Sequence, residues 1–303
     1  MDVQLSLMNF SEKFYGKILE ENKKKLENTF LSPFNIYTTL GMVLSGSALN
    51  TKAEIMKTMQ LSECLEHDKV HSGISELLNN CSKRGGVNII LSSGLFVERD
   101  VSIKQQFEIY LKTYYNALIE HILDDCSFCP NILSNIILFS TYFCYRFSLL
   151  VVLPNTNDGL PDLLKSLCKD KGISSILSSN FTDTSIHLYL PKFKLKEGSA
   201  ISLVGYLQKM GMREAFCPGS ANFTNMSESS NFCIGDILHK AILEVDERGA
   251  VAAAATSAKV ISLSLCISKE PEVEFRVDHP FFISIIWNNT VPVFLGHVVA
   301  PTE

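Results

Sequence analysis

Positive charge is scarce in this 303-residue sequence: 27 Lys and Arg stand against 32 Asp and Glu, a net charge of −5. That balance excludes a protein that coats nucleic acid or grips a membrane through a polybasic face. The only compact basic run, Lys23-Lys24-Lys25, reads as the solvated end of a helix. Also absent are a G-x-S-x-G elbow, a phosphate-binding loop and a dinucleotide fingerprint, because the glycines lack the required spacing. No enzyme, no cofactor and no metal site is expected. No period recurs, which excludes a repeat array. No low-complexity tract interrupts a chain that is 46% apolar and 19% charged, a composition able to bury a large core.

Residues 1–20 lack the basic segment, apolar core and small-residue cleavage site of a secretory signal. Leu7, Phe10, Phe14 and Ile18 instead fall on one helical stripe, so the mature chain is expected to start at Met1. Nine cysteines, an odd number without framework spacing, fit a reducing compartment better than a disulfide scaffold. A cytoplasmic location follows, from which release to the extracellular space would take a non-classical route. The sequons at Asn180, Asn222, Asn225 and Asn288 are then idle.

Three constellations weaken when weighed. Cys126 and Cys129 have metal or redox spacing but stand without a second pair, and read as unpaired thiols. His67 and His71 lie one helical turn apart in a polar stretch without the glutamate of a zinc protease, and read as a solvated helix face. Ile132–Leu153 is long enough to cross a bilayer, yet Ser134, Asn135, Ser140, Thr141 and Arg146 lie along it, and buried strands give the same apolar density.

Helical spacing and caps predict helices over residues 1–20, from Pro33 to Gly46 behind the N-cap Ser32, and over Thr51–Met59, Glu66–Asn79, 103–115, Leu160–Leu167 and Ala200–Met210. Strands are expected in 87–98 and 116–123, then at Phe147–Leu153, Ser185–Phe193, Phe232–Leu238, Lys240–Glu247, Val273–Val277, Phe281–Trp287 and Val293–Val298. Helices early and strands late, with no linker between, predict one α+β domain over 1–303. An N-terminal helical group packs on a large mixed sheet accompanied by smaller ones.

Between the strand ending at Glu247 and the next at Val273 lies a tract of small residues, largely alanine, from Ala250 to Ala258. Alanine favours helix, but no apolar stripe anchors one here, and connections this long are usually functional. With period two, Ala250, Ala252, Ala254, Thr256, Ala258 and Val260 face one way, while Val251, Ala253, Ala255, Ser257 and Lys259 face the other. That pattern suits a strand slotted between two others, where a large or charged side chain would clash or bury an unpaired charge.

Here the sequence resembles the serpins, in their ovalbumin-like intracellular branch. "LHKAILEVDERGAVAAAATSA" resembles the family's strand and hinge, with His239 and Lys240 opening it and Glu247, Arg248, Gly249, Ala250, Val251, Ala252, Ala253, Ala254, Ala255 and Thr256 as the hinge. Arg248, Ala250 and Val251 depart mildly from the usual residues. "FRVDHPFFISIIWNNTVPVFLGHVVAP" is similar to the C-terminal strands through Phe275, Asp278, His279, Pro280, Phe281, Leu295, Gly296 and Pro301, and "NTFLSPFNIYTTLGMVLSG" to the N-terminal signature through Asn28, Ser32, Pro33, Ile36 and Gly46.

The resemblance implies an exposed reactive loop at 249–270 and a suicide mechanism. A serine protease cleaves the loop and is carried along as the freed segment inserts into the main sheet. Counting from Gly249 places the scissile bond at Leu263-Ser264, for a chymotrypsin-like target. Counting back from His279-Pro280 gives Ile267 to Lys269, and Lys269 would select a trypsin-like enzyme. The implied protein is a monomer that binds neither nucleic acid nor membrane. One stretch departs from the family: residues 126–146 replace a much longer segment that includes a central strand of the main sheet. Leu133–Phe139 either stands in for that strand through Leu133, Asn135, Ile137 and Phe139, or matches by chance. The alternative function is a non-inhibitory relative, cleaved as an ordinary substrate.

Overall fold

The computed structural model describes residues 3–21, 26–62, 66–82, 95–98, 101–117, 119–122, 136–138, 147–168, 172–179, 186–196, 200–228, 232–245 and 273–301. Helix α1, Val3–Glu21, buries the expected stripe, with Leu7, Phe10 and Phe14 fully inaccessible and Phe10 stacked on Phe14 at 5.5 Å between ring centroids. Helix α2, Pro33–Gly46, starts where its cap and proline dictate. Ser32 Oγ accepts from the Asn35 amide at 3.1 Å and donates to the Val293 carbonyl at 2.8 Å, so one side chain both caps the helix and ties it to the sheet. Ile36, Leu40, Val43 and Leu44 are buried, and so is nearly every other residue of α2, which makes it the helix inside the helical group.

Helices α3 (Leu49–Thr58), α4 (His67–Ser82) and α5 (Gln105–Tyr115) complete that group. The solvated face expected for His67 and His71 is corrected at His71. Val70, Ile74 and Leu77 turn that side of α4 inward against α5, so His71 is fully buried with its Nδ1 hydrogen-bonded to the Tyr115 hydroxyl. Burial holds the Tyr115 hydroxyl well above the usual phenol range, so it stays protonated.

The main β core is a four-stranded antiparallel sheet in the order β1, β13, β12, β5, built from Thr29–Leu31, Val291–Val298, Phe281–Trp287 and Phe147–Val152. Strands β12 and β13 are buried at every position and read as continuous apolar runs. Their turn holds Asn288 and Asn289 at φ 51° and 56°, and Thr290 N donates to the Trp287 carbonyl, the geometry of a two-residue primed turn that asparagine tolerates.

Gly296 faces β1 so closely that an added Cβ would lie 2.0 Å from the Thr29 carbonyl oxygen. Neither strand can retreat, because Asn28 clamps the end of β13: its Oδ1 accepts from Val299 N at 2.7 Å and its Nδ2 donates to the Ala300 carbonyl at 2.6 Å. Gly296→Ala is therefore expected to cost about 3 kcal/mol, read as a lowered urea midpoint at unchanged slope. An unchanged midpoint would show that β1 is free to move away.

The remaining strands form smaller sheets. Strands β2 (Leu95–Glu98) and β3 (Ile119–Ile122) pair in parallel. Strand β4 (Ile136–Leu138) pairs with β10 (Ile242–Val245), which also pairs with β7 (Phe193–Lys196). Strand β6 (Ile186–Tyr189) lies parallel to β11 (Val273–Arg276), and β8 (Ile201–Ser202) pairs with β9 (Leu238–His239). Helices α6 (Leu160–Leu167), α7 (Gly172–Leu177) and α8 (Val204–Met210) fill the connections.

Three expectations are refined here. The strand expected over Ser185–Phe193 ends at Tyr189, short of Pro191, which offers no amide, and Phe193 opens a second strand that belongs to another sheet. Helix α8 starts at Val204, not Ala200, because Ile201 and Ser202 pair with β9. Of Phe232–Leu238 only the last residue is in a strand. Asp236 Oδ1 accepts instead from its neighbour Ile237 N at 2.7 Å and from Ser202 Oγ at 2.6 Å, a local turn that competes with extension. Within Ile132–Leu153 the described residues form the separate strands β4 and β5, and among the described residues no helix is long and apolar enough to cross a membrane.

Candidate functional site

In sequence the small-residue tract follows β10, which ends at Val245. That strand has a neighbour on each side: β7 runs antiparallel to it, with Ile242 opposite Lys196 and Val245 opposite Phe193, and β4 runs parallel to it, with Ile242, Leu243 and Glu244 opposite Ile136, Ile137 and Leu138. Within residues 133–139, ambiguous in sequence, Ile136–Leu138 thus supply a strand beside β10. Glu247, Arg248, Gly249, Ala250, Val251, Ala252, Ala253, Ala254, Ala255, Thr256, Leu263, Ser264, Ile267 and Lys269 lie outside the described residues, as do Cys126 and Cys129. The next described element is β11.

The direction of these strands has a topological consequence. A segment that leaves β10 and folds back beside it runs antiparallel to β10. Because β4 is parallel to β10, the same segment is antiparallel to β4 as well. One incoming strand would replace a parallel junction by two antiparallel ones, the pairing that is slightly more stable per residue.

The base of this seam is assembled from parts far apart in sequence. His239, the last residue of β9 and three residues before β10 begins, is 3% exposed, and its Nε2 accepts the backbone amide of Ser32 at 3.0 Å. Accepting there places the imidazole proton on Nδ1. Burial pushes the His239 pKa down from 6.5 to about 4, so the ring is neutral at pH 7. Ser32 is also the cap of α2 and a donor to β13, so the root of β10, the inner helix and the four-stranded sheet meet at one serine. A second buried imidazole, His297 on β13, takes a 2.7 Å hydrogen bond with the Tyr15 hydroxyl from α1, and burial lowers its pKa to about 4 as well.

The remaining positions singled out in sequence are distributed around this base. Pro33 is the first residue of α2, Lys240 follows His239 at half-buried depth, and Pro301 is exposed past the Asn28 clamp. Phe275 lies on β11 opposite Leu188. Asp278, His279 and Pro280 form the corner into β12, where His279 bridges the Asp278 carboxylate and the Pro154 carbonyl, each at 2.7 Å. The Pro154 carbonyl, and then Asp278, raise the His279 pKa. Phe281 meets Phe193 of β7 edge to face at 5.9 Å, which joins the seam sheet to the four-stranded one. These contacts therefore position strands. The Ser32–His239 and Tyr15–His297 contacts escaped sequence reading, since they join positions 207 and 282 residues apart.

Comparison with known proteins gives these contacts a context. A family described as serpin (serine protease inhibitor) matches residues 5–123 and 138–301. Leukocyte elastase inhibitor from Xenopus laevis is 36% identical over 165 residues, 53% of this chain and 41% of that protein. The chain spans about two fifths of the length of the leading curated relatives it matches, 38% to 41%. A longer match, to Serpin B4 from Homo sapiens, is 25% identical over 394 residues, 98% of this chain and 100% of the relative. Among solved structures, an Arabidopsis serpin in its native stressed conformation superposes with a TM-score of 0.78 at 22% identity, covering 100% of each chain, which shows the shared fold. With a family match over most of its length and a mixed α+β architecture to go with it, the chain belongs to the serpin family.

Proposed function

We propose that this protein inhibits serine proteases as a suicide substrate, and that its cleaved loop enters the sheet between β4 and β10. The observation that carries the reading is the parallel pairing of β4 with β10, the strand that precedes the small-residue tract. About ten newly paired residues, at roughly 1 kcal/mol net per hydrogen bond, supply on the order of 10 kcal/mol, as much as a whole domain's stability and enough to distort a tethered protease. Leu263-Ser264 is the proposed reactive bond, because the distance from the hinge sets the length of strand available for insertion. The match to a protein named leukocyte elastase inhibitor supports a serine protease target. A chymotrypsin-like enzyme suits Leu263, and Lys269 would shift the choice to a trypsin-like one.

Incubation with chymotrypsin, elastase and trypsin at equimolar ratio tests this. The expected result is a detergent-resistant complex with chymotrypsin and a released C-terminal fragment whose first residue is Ser264. Clean cleavage by every enzyme with no complex, and no rise in melting temperature afterwards, would reassign the protein as a non-inhibitory member.

A further inference from the structure

Strand β11 is the first described element after the 249–270 tract. Its pairing with β6 is parallel and four residues long, from Val273–Ile186 to Arg276–Tyr189, and the Val277 amide extends it by donating to the Tyr189 carbonyl at 2.8 Å. Across this pair the Arg276 guanidinium lies 4.1 Å over the Tyr189 ring, an exposed contact that adds little. Parallel pairings are slightly weaker per residue than antiparallel ones. What the chain grips just beyond β11 therefore helps decide how firmly the strand is held.

His279 supplies that grip. Its side chain is 13% exposed, and each ring nitrogen meets an oxygen at 2.7 Å, Nδ1 the Asp278 carboxylate and Nε2 the Pro154 carbonyl. A carbonyl has no proton to give, and the Asp278 carboxyl, held below its usual range first by its bond to His279, is ionised and has none either. A neutral imidazole carries a single N–H. Satisfying both oxygens takes two, so the geometry requires the imidazolium, and both hydrogen bonds are then charge-assisted. The Pro154 carbonyl and then Asp278 raise the ring's pKa from 6.5, in agreement with that reading. Pro154 lies two residues past β5, whose Val152 pairs with Phe282 of β12. The ring thus ties the corner that leaves β11 to the turn that leaves the four-stranded sheet.

We propose that His279 is a pH-sensitive positioning residue for β11: as an imidazolium it clasps the exit of that strand to the turn between β5 and α6, and loss of its proton opens the clasp and loosens β11 from β6. The deprotonated ring turns a lone pair toward one of the two oxygens, so one hydrogen bond gives way to repulsion. The clasp is fully closed below pH 6.5 and opens as the pH rises through the ring's own raised value, the direction opposite to that of His239 and His297. Among the described residues the charged and titratable groups around it are Asp278, Arg276 on β11 with its partner Glu274, Asp158 in the Pro154 turn, and His187 opposite Glu274 on β6. Of these, Asp278 acts on the ring and Arg276 acts on Asp278. The clasp does not depend on whether the loop traps a protease.

Nuclear magnetic resonance on the full chain tests the proposal, following the His279 ring protons and the hydrogen exchange of the Val277 amide from about pH 6 to about pH 9, with exchange expressed relative to the unfolded rate at each pH. The ring should titrate above 6.5, and lower in Asp278→Asn yet still above 6.5, because Pro154 contributes more than Asp278. Val277 protection should fall at least about tenfold through that same titration, while β12 amides such as that of Ile285 keep theirs. In His279→Gln the protection should be low and flat across the range. His279→Arg, which keeps donors for both oxygens at every pH, should hold it high and flat. A ring that titrates at or below 6.5 would overturn the proposal. So would Val277 protection that ignores the His279 titration, follows that of His187 instead, or falls together with β12. Should His279→Gln fail to fold, the wild-type titration and the Val277 amide decide the outcome by themselves.

Discussion

Acidification from pH 7 to pH 5 is expected to remove about 4 kcal/mol of stability, rising toward 6 kcal/mol by pH 4. The cause is a pair of buried imidazoles, His239 and His297, whose pKa values burial lowers from 6.5 to about 4. In the unfolded chain each binds a proton as the pH falls through 6.5, while in the native state each stays neutral until about 4. Between those values the unfolded state holds more protons, so stability rises with pH, is complete above 6.5 and is lost as the pH falls toward 4. Each histidine contributes about 2 kcal/mol of the change between pH 7 and pH 5. His279 works the other way, since the Pro154 carbonyl and then Asp278 raise its pKa, and this half-buried ring offsets part of the loss. Urea midpoints at pH 7, 6 and 5 provide the measurement. In the double variant His239→Gln, His297→Gln, glutamine can still accept from Ser32 N, and the midpoint should become nearly flat across this window. A wild-type midpoint that does not move between pH 7 and pH 5 would mean that the two rings are hydrated or charged in the native state.

The consequence reaches the seam, because the same proton that destabilises the fold removes the acceptor at its root. A protonated His239 has two donors and no acceptor, so the Ser32 amide would lose its partner while buried. The root of β10, the inner helix and β13 share Ser32, so loosening there is transmitted to three elements at once.

The elements most legible in sequence are those in which local chemistry and long-range packing agree. Helix α2 was bounded by Ser32 and Pro33 at one end and Gly46 at the other, and β12 by its unbroken apolar run from Phe281 to Trp287. Disagreement arises where a neighbour distant in sequence changes what a pattern means. His71 looked solvated because its own stretch is polar, yet the partner that buries it, Tyr115, comes from another helix. Leu133–Phe139 could not be assigned from seven residues of alternation, because whether a short apolar run becomes a strand depends on an open edge elsewhere, here that of β10. The end of β6 at Tyr189 follows from Pro191, a residue visible in sequence, but that Phe193 then opens β7 in another sheet depends on β10, about fifty residues away. The dual role of Ser32, cap and sheet anchor together, was half legible: the cap follows from spacing, whereas the bonds to Val293 and His239 do not.

Under the proposed mechanism, Ala254→Arg is expected to turn inhibition into substrate cleavage, while Ala255→Arg should leave inhibition largely intact. The contrast follows from period two. Read outward from Ala250, Ala254 falls on the face turned inward on insertion, and Ala255 on the face it shares with Lys259. Trapping is a race between two rates once the acyl-enzyme has formed: entry of the freed segment between β4 and β10, and hydrolysis that releases an intact protease. An arginine carried inward must be desolvated without a partner, which raises the insertion barrier by at least about 2 kcal/mol and slows entry about 30-fold. Hydrolysis is unchanged and wins. The stoichiometry of inhibition, measured by titrating chymotrypsin with each variant, should therefore rise more than about tenfold for Ala254→Arg, and the detergent-resistant band should give way to cleaved monomer. The same position separates insertion from mere occlusion of the protease, because a loop that inhibited by plugging the active site would not sense a charge nine residues before Leu263. Equal inhibition by both arginine variants would remove strand entry at this seam from the mechanism.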